Sequence, residues 1–122
     1  MEARHVLRAV WNGVVLAEAK RTVRIEGNHY FPPTSLNREY FVESPTKTLC
    51  PWKGIASYYT VSAGGEVDPD GAWYYPHPSP LARKIKNHVA FGGEVRIDGE
   101  REPRADGEAG AGWWRTLVGR RG

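Results

Sequence analysis

The side chain with the greatest intrinsic reactivity in this sequence is Cys50, within Cys50-Pro51-Trp52-Lys53-Gly54. The thiolate is the nucleophilic form of cysteine, and a lysine three residues on lowers a thiol pKa through its charge, while His29 would serve as a base if the fold brought it near. Cys50 and His29 are therefore the candidate catalytic pair. The plainer alternative is a small buried side chain opening a Pro-Trp turn, because cysteine is among the most often buried residue types. A lone cysteine and a histidine do not fix a geometry, so the plainer alternative is preferred. A sulfoxide-reductase reading needs the same nucleophile and an external thiol as resolving partner, and is poorer still.

A second constellation carries binding chemistry. Glu26, Asn28, His29 and Tyr30 cluster around Gly27, where a carboxylate, an amide, an imidazole and a phenol can converge on a concave mouth. With Trp52, Lys53, Tyr58, Trp73 and Tyr75 added, aromatic walls and one cation suit a planar or anionic small molecule. The competing explanation is a Gly-Asn turn with Asn28 left-handed, and aromatic alternation that serves only the core. His5, His29, His77 and His88 show no i, i+4 pair and no partner Cys pair, so no metal site and no cofactor is expected. Gly64-Gly65 and Gly92-Gly93 lack the Gly-Lys-Ser/Thr ending of a P-loop and read as turns. Asp68 and Asp70 flank a proline as turn formers.

These residues need elements to hold them, and the composition selects strands. Five Trp, 6 Tyr, 14 Gly and 9 Pro in 122 residues favour short strands broken by turns over long helices. Asn12-Gly13 between Val6 to Trp11 and Val14 to Glu18 is a hairpin signal. Thr22 to Glu26 alternates as a half-buried strand, and His29 to Phe31 extends until Pro32-Pro33 stops it. One helical turn is expected around Ser35 to Arg38. Ile55 to Ser62 and Ala72 to Tyr75 are expected to pair as an antiparallel hairpin turning at Asp68-Pro69-Asp70-Gly71. Leu81 to Lys86 is the helix candidate, with Ser79 as N-cap and Pro80 at the first helical position. His88 to Phe91 and Glu94 to Asp98 read as strands around Gly92-Gly93.

Length and charge bound the rest. At roughly 100–200 residues per domain, one domain is expected, spanning 1–98, followed by a Gly/Arg-rich tail over 99–122 in which Trp113 and Trp114 can dock. Lysine and arginine total 17 against 14 acidic residues, scattered along the chain, and this argues against a nucleic-acid partner. A single cysteine fits a reducing compartment, and no aliphatic run approaches the roughly 20 residues of a spanning helix, so a cytoplasmic protein without a membrane partner is expected. Fourteen large aromatics are hard to hide in one small core, which points to a homodimer.

The strings Glu26-Gly27-Asn28-His29-Tyr30-Phe31-Pro32, Cys50-Pro51-Trp52-Lys53-Gly54 with Tyr58-Tyr59, Ala72-Trp73-Tyr74-Tyr75-Pro76 and His88-Val89-Ala90-Phe91 occur in this order. Together they resemble the family catalogued as domain of unknown function four-two-seven, also labelled nucleotidyltransferase-like, over about residues 4–98. The resemblance implies a mainly β fold of the β-tent or Mss4-like kind, related in shape to methionine sulfoxide reductase B domains, and implies no established reaction. Relatives of that shape often carry paired Cys-x-x-Cys zinc knuckles, which this chain lacks. The expectation is thus a small barrel-like or tent-like fold of seven to nine short antiparallel strands with one short helix, serving as a small-ligand-binding module. A homodimeric interaction protein without catalysis is the alternative, and Cys-dependent or nucleotidyl-transfer catalysis ranks below both.

Overall fold

The computed structural model describes residues 6–99. Strands β1 (Leu7–Trp11) and β2 (Val14–Ala19) form the first hairpin, turning at Asn12 and Gly13, both with positive φ. Those are the conformations a two-residue turn needs to match the strand twist. Strands β3 (Val23–Ile25) and β4 (Asn28–Tyr30) form the second hairpin. Its turn residues are Glu26 (φ 53°) and Gly27 (φ 83°), and Asn28 is extended in β4, so the competing Gly-Asn turn with a left-handed Asn28 does not form. Two short 3-10 turns, Pro33–Ser35 and Arg38–Tyr40, stand where one helical turn was expected.

A four-stranded antiparallel sheet follows in the order β5-β6-β7-β8: β5 (Phe41–Cys50), β6 (Gly54–Ala63), β7 (Glu66–Tyr74) and β8 (Val89–Phe91). The β6–β7 hairpin turns at Gly64-Gly65, since Ala63 pairs with Glu66. Asp68-Pro69-Asp70-Gly71 is therefore not the turn; it forms a bulge inside β7, where pairing jumps from Val61↔Asp68 to Tyr59↔Ala72. A bulge takes Pro69 out of the hydrogen-bonded ladder, in which proline has no donor to offer. Strand β5 carries no sequence signal, being polar and interrupted by Pro45. It survives as an edge strand with its own irregularity between Ser44 and Lys47. The last strand, β9 (Arg96–Asp98), pairs with β1 and not with β8, completing a sheet of order β2-β1-β9. The expected helix is a 3-10 segment, Pro80–Ile85, kinked at Ala82. Mainly antiparallel β structure is thus observed, and the sheets do not close into a barrel.

The four-stranded sheet is covered on both faces. One face packs with Leu16, Ala17 and Leu36 around Val61 and Phe91, and Phe31 meets Phe91 edge-on at 5.6 Å between ring centres. The other face, carrying Ala56 and Ala90, packs with Tyr30, Tyr75, Ala82 and Ile85. The β3–β4 hairpin is pinned over this second face through Phe31, which exchanges N–H···O bonds of 2.7 and 2.8 Å with Val89. Tyr58 and Trp73 are direct cross-strand partners, and Tyr75 lies two residues beyond Trp73. The period of two therefore sends all three to the face beneath that hairpin. Trp113 and Trp114 lie outside the described residues.

Candidate functional site

Beneath the β3–β4 turn is a cleft of about 270 Å³ lined by Glu26, Asn28, Tyr30, Lys53, Tyr58, Asp70, Trp73 and Tyr75. Three stretches that are distant in sequence, 26–30, 53–58 and 70–75, meet there. Alternation along β4 directs Asn28 and Tyr30 to the same side, and alternation along β6 and β7 supplies the aromatic wall. Tyr58 and Trp73 pack at 6.4 Å with ring planes tilted by 47°, and the Trp73 indole N–H donates to the Tyr30 hydroxyl at 3.2 Å. The Tyr58 hydroxyl shares a 2.8 Å hydrogen bond with Thr48 Oγ1.

Lys53 comes from the tip of the β5–β6 hairpin. Cys50 pairs with Gly54, leaving Pro51, Trp52 and Lys53 to turn the chain. Gly54 has φ 121°, and a side chain there would place Cβ 3.2 Å from the His77 carbonyl oxygen, so the turn needs glycine for both conformation and space. The loop before the 3-10 segment closes over this tip: Ser79 N–H donates to the Lys53 carbonyl at 2.9 Å and Ser79 Oγ to the Trp52 carbonyl at 2.7 Å. Ser79 occupies the N-cap position, yet its hydroxyl is engaged by the hairpin and caps nothing. The result is a lysine only 4% exposed.

Burial of an ammonium is costly unless it is paired and hydrogen-bonded. Lys53 Nζ makes a short ion pair with Glu26 Oε1, and Trp52 Nε1 donates to Glu26 Oε2 at 3.1 Å. The ammonium also lies 5.1 Å from the Trp52 ring centre and 5.6 Å from that of Tyr75, within cation–π range. Desolvation acts to lower the Lys53 pKa, but the hydrogen bonds to Glu26 and Cys50 outweigh it and leave the pKa raised. Hydrogen bonds from Lys53 and Trp52 hold the Glu26 carboxyl below its ordinary value. Burial pushes Cys50 up, but the backbone N–H groups of Lys53 and Trp52 and the Lys53 ammonium more than offset it, so the thiol lies below its ordinary value. Burial drives Tyr75 up to about 12 and raises Tyr30 as well.

Seven of the eight residues expected at a binding site on sequence grounds thus line one cleft. The eighth, Trp52, sits at its rim and braces Glu26. The two residues expected to act as nucleophile and base are not brought together. Cys50 packs beside the second core with Lys53 as its polar neighbour. His29 alternates to the side of β4 opposite Tyr30, where its Nδ1 lies 2.6 Å from Thr22 Oγ1. It lines a second depression with Phe91, Gly92 and Gly93, which adjoins the cleft because Asn28 and Trp73 line both. Asp70 is the cleft residue that sequence reasoning missed, having been assigned to a turn. The β7 bulge turns it (φ 54°) toward the hydroxyls of Ser44 and Thr46 on β5, which donate to its two carboxylate oxygens at 2.5 and 2.8 Å. Its sequence signal was the Pro69-Asp70-Gly71 break inside an otherwise continuous strand. Among the described residues no three His, Cys, Asp or Glu side chains are grouped to hold a metal ion, and no helix is long and apolar enough to cross a membrane.

Fold and cleft define a small mainly β module with an aromatic-walled polar cleft on one sheet face. Residues 1–103 match the family described as Domain of unknown function (DUF427), and the chain belongs to that family. Among curated proteins none matches the chain.

Proposed function

We propose that this chain is a small-molecule-binding module whose ligand enters the cleft between the β3–β4 hairpin and the β5–β8 sheet. The carrying observation is the convergence of Asn28, Tyr30, Lys53, Asp70 and Trp73, from separate segments, on one aromatic-walled cleft of about 270 Å³. That volume lies just below the roughly 300–1,000 Å³ of small-molecule sites, so the ligand is small or only partly enclosed. Both side walls are held by hydrogen bonds before any ligand arrives, which reduces the ordering cost of binding. A fragment screen read by amide and indole NMR shifts tests the reading. Hits should perturb Asn28, Tyr58 and Trp73 together, and Trp73→Leu should abolish them. A screen whose hits all map elsewhere on a folded protein refutes it.

A second reading, self-association, is favoured by a different surface. Leu49 and Ile55 are cross-strand partners on the β5–β6 hairpin, 72% and 56% exposed. Paired exposed aliphatics at the end of an edge strand are a feature of interfaces. The aromatics give this reading less support: Trp52 is the one large aromatic among the exposed large hydrophobics of the described residues.

A further inference from the structure

The charge of the ligand follows from which ionised groups in the cleft are already satisfied. Lys53, the cation expected to attract an anion, is buried, ion-paired with Glu26 and seated over two aromatic rings. An incoming anion would have to displace Glu26 from it, and separating a buried ammonium from its carboxylate is strongly unfavourable. Seen from the cleft the pair is close to neutral. Asp70 is different. Its carboxylate lines the same cleft and is oriented by two neutral hydroxyls, and no cation pairs with it among the described residues.

The hydrogen-bond inventory points the same way. The Trp73 indole N–H is engaged by Tyr30, the Tyr58 hydroxyl by Thr48 and the Lys53 ammonium by Glu26, which leaves neutral groups, the Asn28 amide and the Tyr75 hydroxyl among them, as the donors facing the cleft. The carboxylate of Asp70 keeps lone pairs beyond the two that accept from Ser44 and Thr46, because an ionised carboxylate has about four acceptor sites. The rings of Trp73 and Tyr58 present electron-rich faces that attract positive charge. Resting on the small-molecule reading above, we propose that the cleft takes a small organic cation bearing N–H donors, an amidinium, guanidinium or protonated amine, with its charge at Asp70 and its body against Trp73 and Tyr58. Such a ligand keeps the planar part of the planar-or-anionic expectation and departs from the anionic part.

The test is an NMR titration of the full chain with three molecules of one shape: benzamidinium, neutral benzamide and benzoate. Benzamidinium should shift the Trp73 indole and bind about tenfold more tightly than benzamide, because only the amidinium adds a full positive charge to the N–H donors that both molecules offer Asp70. Asp70→Asn should remove that preference, weakening benzamidinium binding far more than benzamide binding. Should this variant fail to fold, salt serves instead: added sodium chloride should erode the benzamidinium preference in the native protein and leave benzamide unaffected. Benzoate binding in preference to benzamidinium, with the same reporters shifted, overturns the charge assignment and leaves the small-molecule reading intact. Equal binding of all three, or no shift with any of them, also overturns it. The fragment screen then decides separately whether the cleft binds small molecules at all.

Discussion

Lys53 and Glu26 form an unequal pair, and the inequality gives a measurable asymmetry. The Lys53 side chain is 5% exposed and that of Glu26 51%. Removing Glu26 leaves a buried ammonium with two ring faces and no carboxylate; removing Lys53 leaves a carboxylate already half in water. Breaking a fully buried pair costs about 3–5 kcal/mol and losing a surface pair about 0–1 kcal/mol, so solvent access at Glu26 brings Glu26→Gln to about 2 kcal/mol. Lys53→Met keeps the apolar stem and forfeits two cation–π contacts of about 0.5–1 kcal/mol each, partly offset by the buried methyl group, for about 1 kcal/mol. Replacing both partners removes the unpaired charge, so the double variant should be no worse than Lys53→Met. For a domain of this size these values correspond to Tm losses of about 10 °C and 5 °C. Urea unfolding of the four proteins at pH 7 gives the cycle directly. If Lys53→Met is as damaging as Glu26→Gln, or if the two effects simply add, the view of Lys53 as a buried charge held by Glu26 is wrong.

The same pair predicts acid sensitivity. The folded pKa of Glu26 is depressed below its ordinary 4.5, so its contribution is complete above that pH and lost as pH falls through the folded value. The stability gap between the native protein and Glu26→Gln should therefore begin to close in urea titrations only as pH falls below 4.5. Cys50, lowered from an ordinary 9.0, should show an iodoacetamide rate profile inflecting below pH 9, and Lys53→Met should move that inflection upward. An inflection at or above pH 9 in the native protein would remove the Lys53–thiol interaction. Gly54→Ala should cost about 1–3 kcal/mol in urea unfolding, from the left-handed backbone and the crowded His77 carbonyl. Light scattering checks self-association: a dimer should become monomeric on Ile55→Lys, and a monomeric native protein removes the second reading.

Features set by neighbouring residues were legible from the sequence. Asn12-Gly13 specifies its turn because both positions tolerate positive φ, and the period of two in Trp73-Tyr74-Tyr75 already places the first and third rings on one face. The mainly β class follows from the same local preferences, as do most of the residues that line the cleft. What the sequence left open depends on partners far along the chain. Strand β5 has no amphipathic pattern of its own and exists because β6 pairs with it. The β7 bulge forms because Gly64-Gly65 turns the chain early and the ladder must absorb the surplus residues before Ala72. His29 and Cys50, both chemically suggestive, are kept apart by the alternation of β4 and the hairpin it sits over. The charge of the site was undecidable from residue types, because a lysine attracts anions only when its own charge is unpaired. The proposed charge rests on the burial of Lys53 under the 77–79 loop and its pairing with a carboxylate 27 positions away, and both are set by tertiary packing.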